Sequence, residues 1–267
     1  MKGIRGRIAV ATALGAAALL AGVAMPATSG AATSGTATSG AATSGAAATR
    51  TAGTASDTRP PATSAAAIAA ARVAARDLPG VCGPPYVRGR RELGPKVLPR
   101  TGYFGSLVRG YVRYGGLTPD RFTFRYWDAS AQPPFWRYPP DLGFAHSGGW
   151  SNGRVLRSRT TLAAGSLADR FGSPYGAFLA PGGTSFGARA LPPDSLDTRT
   201  DDPAHLCNYH LYRVSRAFDV DAGPIAPAFQ QPGGGLQYLL MSAYVPQAPT
   251  PLNVRWLVDN GYLSVIY

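Results

Sequence analysis

The sequence predicts an α+β fold: one compact domain around a twisted, mixed or antiparallel sheet of short strands, with few helices. An export signal and a disordered linker precede it. Three observations point to this. Apolar residues recur in short alternating runs rather than in long 3.6-residue periods. The 33 glycines and 24 prolines of the 267 residues cut the chain into short elements. From residue 27 to residue 64 the chain carries none of the large apolar side chains from which a core is built.

Residues 1–30 read as a secretion signal. Lys2, Arg5 and Arg7 form a basic start, and an apolar run too short and too rich in Ala and Gly for a spanning helix follows it. Residues 31–77 read as a linker. ATSG recurs at Ala27, Ala32, Ala37 and Ala42, and such Ala/Thr/Ser/Gly composition does not offset the entropy of ordering. A short helix is expected within residues 65–77. The mature protein is therefore expected to be secreted, without a membrane span, and residues 78–267 form the domain, of which 78–101 is an N-terminal extension.

Along the domain, Gly102 to Tyr114 has helix-like spacing. Thr118-Pro119-Asp120 predicts a turn, and the alternation of Phe122, Phe124 and Tyr126 predicts a strand over Arg121 to Trp127. A Pro-rich loop with an apolar edge spans Trp136 to Phe144. Strands are expected near Leu156–Leu162, Leu206–Val214, Asp219–Ile225 and Gln237–Ala243, with a Gly/Pro-dense, loop-rich site around Asp169–Ala180. Leu252–Asn260 reads as a helix closed by Gly261, followed by a final strand, Tyr262–Tyr267.

Charge and cysteines narrow the function classes. Beyond residue 77 the chain carries 19 Lys/Arg against 12 Asp/Glu, nearly all of the cations arginine, whose planar fork suits phosphates and carboxylates. No helix-turn-helix, zinc-ligand spacing or RNP-like motif accompanies this charge, so nucleic acid is not an expected partner. Cys82 and Cys207, an isolated pair in an exported chain, are most simply one disulfide. His205 and His210 alone complete no zinc set, so no metal site is expected.

The chain has a single glutamate, Glu92, within the Arg-rich RGRRELG stretch. The usual pair of positioned glycosidase carboxylates would have to be aspartates, most of which sit in turn contexts. No HExxH, P-loop or GxGxxG occurs. Arg170, Phe171, Phe178, Arg189, His210, Gln231 and Gln237 stand out. Each also has a plain structural reading: an arginine paired to a carboxylate, core phenylalanines, a structural histidine, a turn-capping glutamine.

Five blocks in series, DRFGSPYGAFLAP, GTSFGARALPP, YHLYRV, APAFQQPGGGLQYLL and LVDNGYL, resemble the tuberculosis-necrotizing-toxin type of NAD glycohydrolase domain, and fungal surface NADases. The likeness runs from about Tyr103 to Tyr262. It implies a secreted enzyme that cleaves NAD(P)+ at the nicotinamide–ribose bond without a catalytic glutamate. By the same resemblance Arg170 and Phe171 lie against the dinucleotide, Phe178 lines the nicotinamide side and Arg189 is a pocket residue. Gln237 is the glutamine most tied to activity, Gln231 is the second choice, and His210 matches the histidine of the YHxYxV strand. No cofactor is implied. Some fungal members hold calcium in the C-terminal block, but Asn260 follows Asp259 where a second acid would be needed, so calcium is not predicted. An immunity protein is left open as a partner. ADP-ribosyl transfer, cyclisation and a non-catalytic exported binding module are the alternatives. The glycine triplet Gly233–Gly235 is expected to bring backbone close to the substrate and to place Gln237 at the start of the next strand.

Overall fold

In the computed structural model, residues 80–149 and 151–267 are described, so the signal, the linker and the helix expected at 65–77 lie outside the described residues. The chain opens with α1 (Gly102–Leu107) and α2 (Pro119–Tyr126). A small hairpin follows, β1 (Trp127–Asp128) against β2 (Phe135–Trp136). Next come β3 (Ser158–Leu162), β4 (Leu167–Phe171), β5 (Phe178–Pro181), β6 (Tyr209–Val214), β7 (Phe218–Pro224) and β8 (Leu236–Leu239). Helix α3 (Val254–Asp259) and β9 (Leu263–Val265) end it. β3 to β9 form one seven-stranded sheet in the order β3-β7-β8-β5-β4-β6-β9, and every neighbouring pair is antiparallel. No helix among the described residues is long and apolar enough to cross a membrane.

Strand parity explains how the sheet buries two faces. Along β6, Tyr209 and Leu211 enter a cluster with Phe104, Phe171, Phe186 and the Cys82–Cys207 disulfide. Tyr212 and Val214 enter a second cluster with Leu179, Val220 and Leu257 of α3. Alternate residues of one strand thus feed two cores. A third cluster packs Phe122 of α2 against Trp136, Ile225 and Phe229.

The α2 segment corrects the expected strand over Arg121–Trp127. Thr118 caps the helix, its hydroxyl accepting from the Arg121 N–H at 3.3 Å, with Pro119 in the first turn. Phe122 is buried, whereas Phe124, which a strand would place on the same face, is 87% exposed. The Thr-Pro-Asp start was a helix cap rather than a turn, and it outweighs the alternation of aromatics. The helix-like stretch from Gly102 keeps helical geometry only to Leu107, and Gly110 takes a φ of +74°. At the C-terminus Asn253 caps α3, accepting from the Trp256 N–H at 2.9 Å, and Gly261 follows at φ +72°, as the sequence leads one to expect.

Candidate active site

A cleft of about 530 Å³ opens where β4 ends and β5 begins. Arg170 and Phe171 from β4, Phe178 from β5, Gln237 from β8 and Arg189 from the turn Gly187–Arg189 all line it. Five residues singled out in the sequence, spread over 68 positions, therefore meet at one cavity. Tyr138 and the Pro139–Gly143 loop supply the facing wall.

Arg170 and Phe171 leave β4 on opposite faces, since Arg170 is registered with His210 and Phe171 with Tyr209. The Arg170 guanidinium turns back toward the strand end. Nε donates to Gly172 O at 3.1 Å and Nη1 to Phe178 O at 2.9 Å. It fills the space beneath the loop, so that any side chain at Gly176 would collide with it. Burial draws the Arg170 pKa down to about 10, which leaves it cationic at neutral pH. The arginine thus ties the ends of β4 and β5 together while bringing a desolvated charge to the cleft.

The sequence reading overlooked Asp169 as a site residue. It is fully buried, and it pairs with Arg189 rather than with its neighbour Arg170. Its other oxygen accepts from the Tyr209 hydroxyl at 2.7 Å and from the Gly183 N–H at 2.8 Å. Burial pushes the carboxyl pKa up, against the pull of Arg189, Tyr209 and the Gly183 N–H. Arg189 also donates to Thr184 O from Nε (3.0 Å) and Nη2 (2.8 Å), and its guanidinium lies 5.2 Å over the Phe171 ring. Phe171 is wedged edge-to-face against Phe186 at 5.1 Å. Tyr103 closes the chain by sharing a hydrogen bond with the Tyr209 hydroxyl. Asp169 is the hub that fixes Arg189 and, through it, the ring of Phe171. The alternation of DRF, which puts Asp169 and Phe171 on one face, was the available signal.

Gln237 is buried and its Nε2 donates to Leu142 O at 3.1 Å. A carbonyl only accepts, so this bond fixes which end of the amide is the nitrogen and leaves Oε1 as an acceptor at the cleft. The Leu142 carbonyl is aimed by an unusual backbone: Asp141, Leu142 and Gly143 have φ of +51°, +58° and +80° in succession.

Gln231 and His210 lie outside this cleft. Gln231 is buried at a neighbouring cavity beside Arg125, Tyr126 and Arg137, its Nε2 donating to Val112 O at 2.7 Å. That bond ties the loop after α1 to the Gln231 turn, the structural reading of this residue. His210 lies on the sheet face that it shares with Arg170, its ring 4.1 Å from that of His205 and tilted against it. Burial takes its pKa down to about 3, so the ring is neutral near pH 7. The glycine triplet lines no part of the cleft, against expectation. Gly233, at φ +66°, lies where a Cβ would be 2.7 Å from Ile225 O, and at Gly235 one would be 2.7 Å from Ala188 O. The bare backbone is needed for packing of the β8 approach against β7 and the Gly187–Arg189 turn, and only indirectly for the placing of Gln237.

The chain is 40% identical over 178 residues, 67% of its own length and 70% of the relative's, to the conidial surface nicotinamide adenine dinucleotide glycohydrolase of Aspergillus fumigatus. The family described as tuberculosis necrotizing toxin matches residues 161–266. The chain belongs to that family. The solved structure of tuberculosis necrotizing toxin in complex with its immunity factor aligns over 59% of this chain and 79% of the toxin chain, at 22% identity and a TM-score of 0.43. All five cleft residues taken from the sequence fall within the necrotizing-toxin match, whereas Leu142, which orients Gln237, precedes it.

Proposed function

We propose that this member of the necrotizing-toxin family is an NAD(P)+ glycohydrolase that releases nicotinamide and ADP-ribose. The observation that carries the reading is the meeting of two arginines, two phenylalanines and Gln237 in a single cleft. The identity to a named NAD glycohydrolase supports it.

The chemistry suits these groups. The nicotinamide–ribose bond breaks with its electron pair passing to the pyridinium nitrogen, which becomes neutral and leaves without a proton. Positive charge develops on the ribose; water bonds to the anomeric carbon and gives up a proton to solvent. The protein must orient the dinucleotide and stabilise a developing cation, for which an amide oxygen is suited without ionising. Gln237 Oε1 takes that role, held by the bond from Nε2 to Leu142 O. Arg170 and Arg189 attract the pyrophosphate, each already braced by backbone carbonyls so that little side-chain entropy is lost on binding. Phe178 and the edge of Phe171 offer apolar faces to a flat ring. The N-terminal signal and linker composition lead us to place the enzyme outside the cell.

The test is incubation of the purified protein with NAD+ and chromatographic separation of the products. Nicotinamide and free ADP-ribose in equal amounts are expected. ADP-ribosylated protein or a cyclic product in place of free ADP-ribose would overturn hydrolysis, and unconsumed NAD+ would overturn the activity.

A further inference from the structure

On the face of β6 that His210 shares with Arg170 across the β4–β6 pair, Asp202, His205 and His210 bring one ligating atom each to within 4.8 Å of one another. The sequence counted only the two histidines; the fold supplies the third group from the loop before β6. The two oxygens of Asp202 divide between the rings. His205 Nδ1 is 2.6 Å from Oδ1, and His210 Nε2 is 3.9 Å from Oδ2. The imidazoles lie 4.1 Å apart, tilted by 30°, so both present nitrogens to the same carboxylate.

A second observation is independent of this clustering. The His210 side chain is only 3% exposed, and its Nε2 is buried without a hydrogen-bond partner. A buried ring nitrogen left unpaired is costly, and such atoms call for an explanation. The charged group recorded nearest to it is the Asp202 carboxylate, at 3.9 Å.

We propose that Asp202, His205 and His210 form a binding site for a divalent transition metal of the zinc type. Two imidazole nitrogens and one carboxylate oxygen are the protein ligands, and water completes a tetrahedron. The donor set decides the class of ion: nitrogen ligands suit Zn²⁺, Cu²⁺ or Ni²⁺ and are poor for Ca²⁺ and Mg²⁺, which take oxygen. With metal–ligand bonds of about 2.0–2.1 Å, ligating atoms in a tetrahedral site stand roughly 3.4 Å apart. The separations of 2.6 and 3.9 Å lie on either side of that value, so a modest swing of the Asp202 carboxylate makes both serviceable. Asp202 and His205 are partly exposed, which gives the ion a way in. The frame is firm: the Asn208 N–H donates to His205 O at 3.0 Å, and Cys207 between them is held by the disulfide to Cys82. None of the three residues lines the cleft, and the site's role is structural, clasping the Asp202 loop to β6. It does not depend on the glycohydrolase reading.

The experiment is calorimetric titration of Zn²⁺ into the untagged, chelator-treated full chain in a non-coordinating buffer, with Ca²⁺ as the comparison ion. One Zn²⁺ per chain is expected, with no heat from Ca²⁺ at this stoichiometry. Asp202→Asn and His205→Gln, both at partly exposed positions, should each weaken Zn²⁺ binding at least tenfold while circular dichroism and melting in the absence of metal stay close to the parent. Absence of saturable Zn²⁺ binding, or one-to-one binding unchanged in both variants, would overturn the site.

Discussion

The Gln237 amide is held by the Leu142 carbonyl, an N–H···O bond of 3.1 Å joining β8 to a loop that comes from 95 residues earlier in the chain. Three successive left-handed residues carry or flank that carbonyl, and the bond engages Nε2 of a residue that lines the cleft, leaving Oε1 as its acceptor. Gln237→Ala removes the oxygen and should lower the rate of nicotinamide release about 10²–10³-fold, with little change in the melt. Turnover within a factor of two of the parent would show that the amide is not part of the chemistry. Gln231→Ala, at a separate cavity, should lower stability and leave the rate per folded molecule unchanged.

Asp169 and Arg189 form a buried pair on which Tyr209 and the Gly183 N–H also converge. Asp169→Ala leaves a guanidinium without its counter-charge in the interior. A loss of about 3–5 kcal/mol in urea unfolding is expected, larger than the effect of truncating an exposed ion pair such as Arg255–Asp259, at about 0–1 kcal/mol.

Gly233→Val sets a β-branched residue at φ +66° with its Cβ 2.7 Å from Ile225 O. Strain and overlap together should cost about 2–5 kcal/mol. The melting temperature should therefore fall along with the activity. A normal melt with lost turnover would restore a direct substrate role to the triplet.

Cys82 and Cys207 close a loop over 125 residues. Replacing both by alanine should cost about 4–5 kcal/mol on the chain-entropy argument, read as a shift in denaturant midpoint.

Asp197 and Asp194 are buried carboxyls whose pKa values are pushed up by desolvation, to about 7 and about 6. Asp197 Oδ1 has no hydrogen-bond partner, while Asp194 accepts from Trp136 Nε1 at 3.0 Å. The folded state takes up protons here at a pH where the unfolded chain stays ionised. Stability from these groups is thus present at low pH and lost as pH rises through about 6–7. His210, depressed by burial, acts in the opposite sense. The measurement is accordingly a difference: Asp197→Asn should gain stability relative to the parent at pH 8, and the gain should shrink toward pH 5.

The sheet was legible because its strands carry paired signals. YHLYRV alternates between two cores, and Gly261 closes a helix at the predicted place. The helix α2 was misread because Phe122, Phe124 and Tyr126 alternate by chance of composition, while the Thr118 cap was the stronger signal. Of the site, Arg170, Phe171, Phe178, Arg189 and Gln237 were legible as blocks in series. Gln231 and His210 come from the same blocks but line no part of the cleft. Gln231 sits in a turn, where no local pattern states which way a side chain will point, and His210 lies within β6, a strand that contributes no residue to the cleft lining. Asp169 and Leu142 were hidden for another reason. One acts through a partner 20 residues on, the other through a main-chain oxygen that any residue carries.

The opposed directions of Arg170 and Phe171 make the reaction centre a gauge of strand alignment. Sliding β4 by a single residue along β6 would send the cation among the rings of Phe186 and Tyr209, and the phenyl group toward His210. The covalent tether at Cys207, two residues ahead of β6, pins the strand against which that alignment is counted. The domain thereby carries its own register mark in a covalent bond.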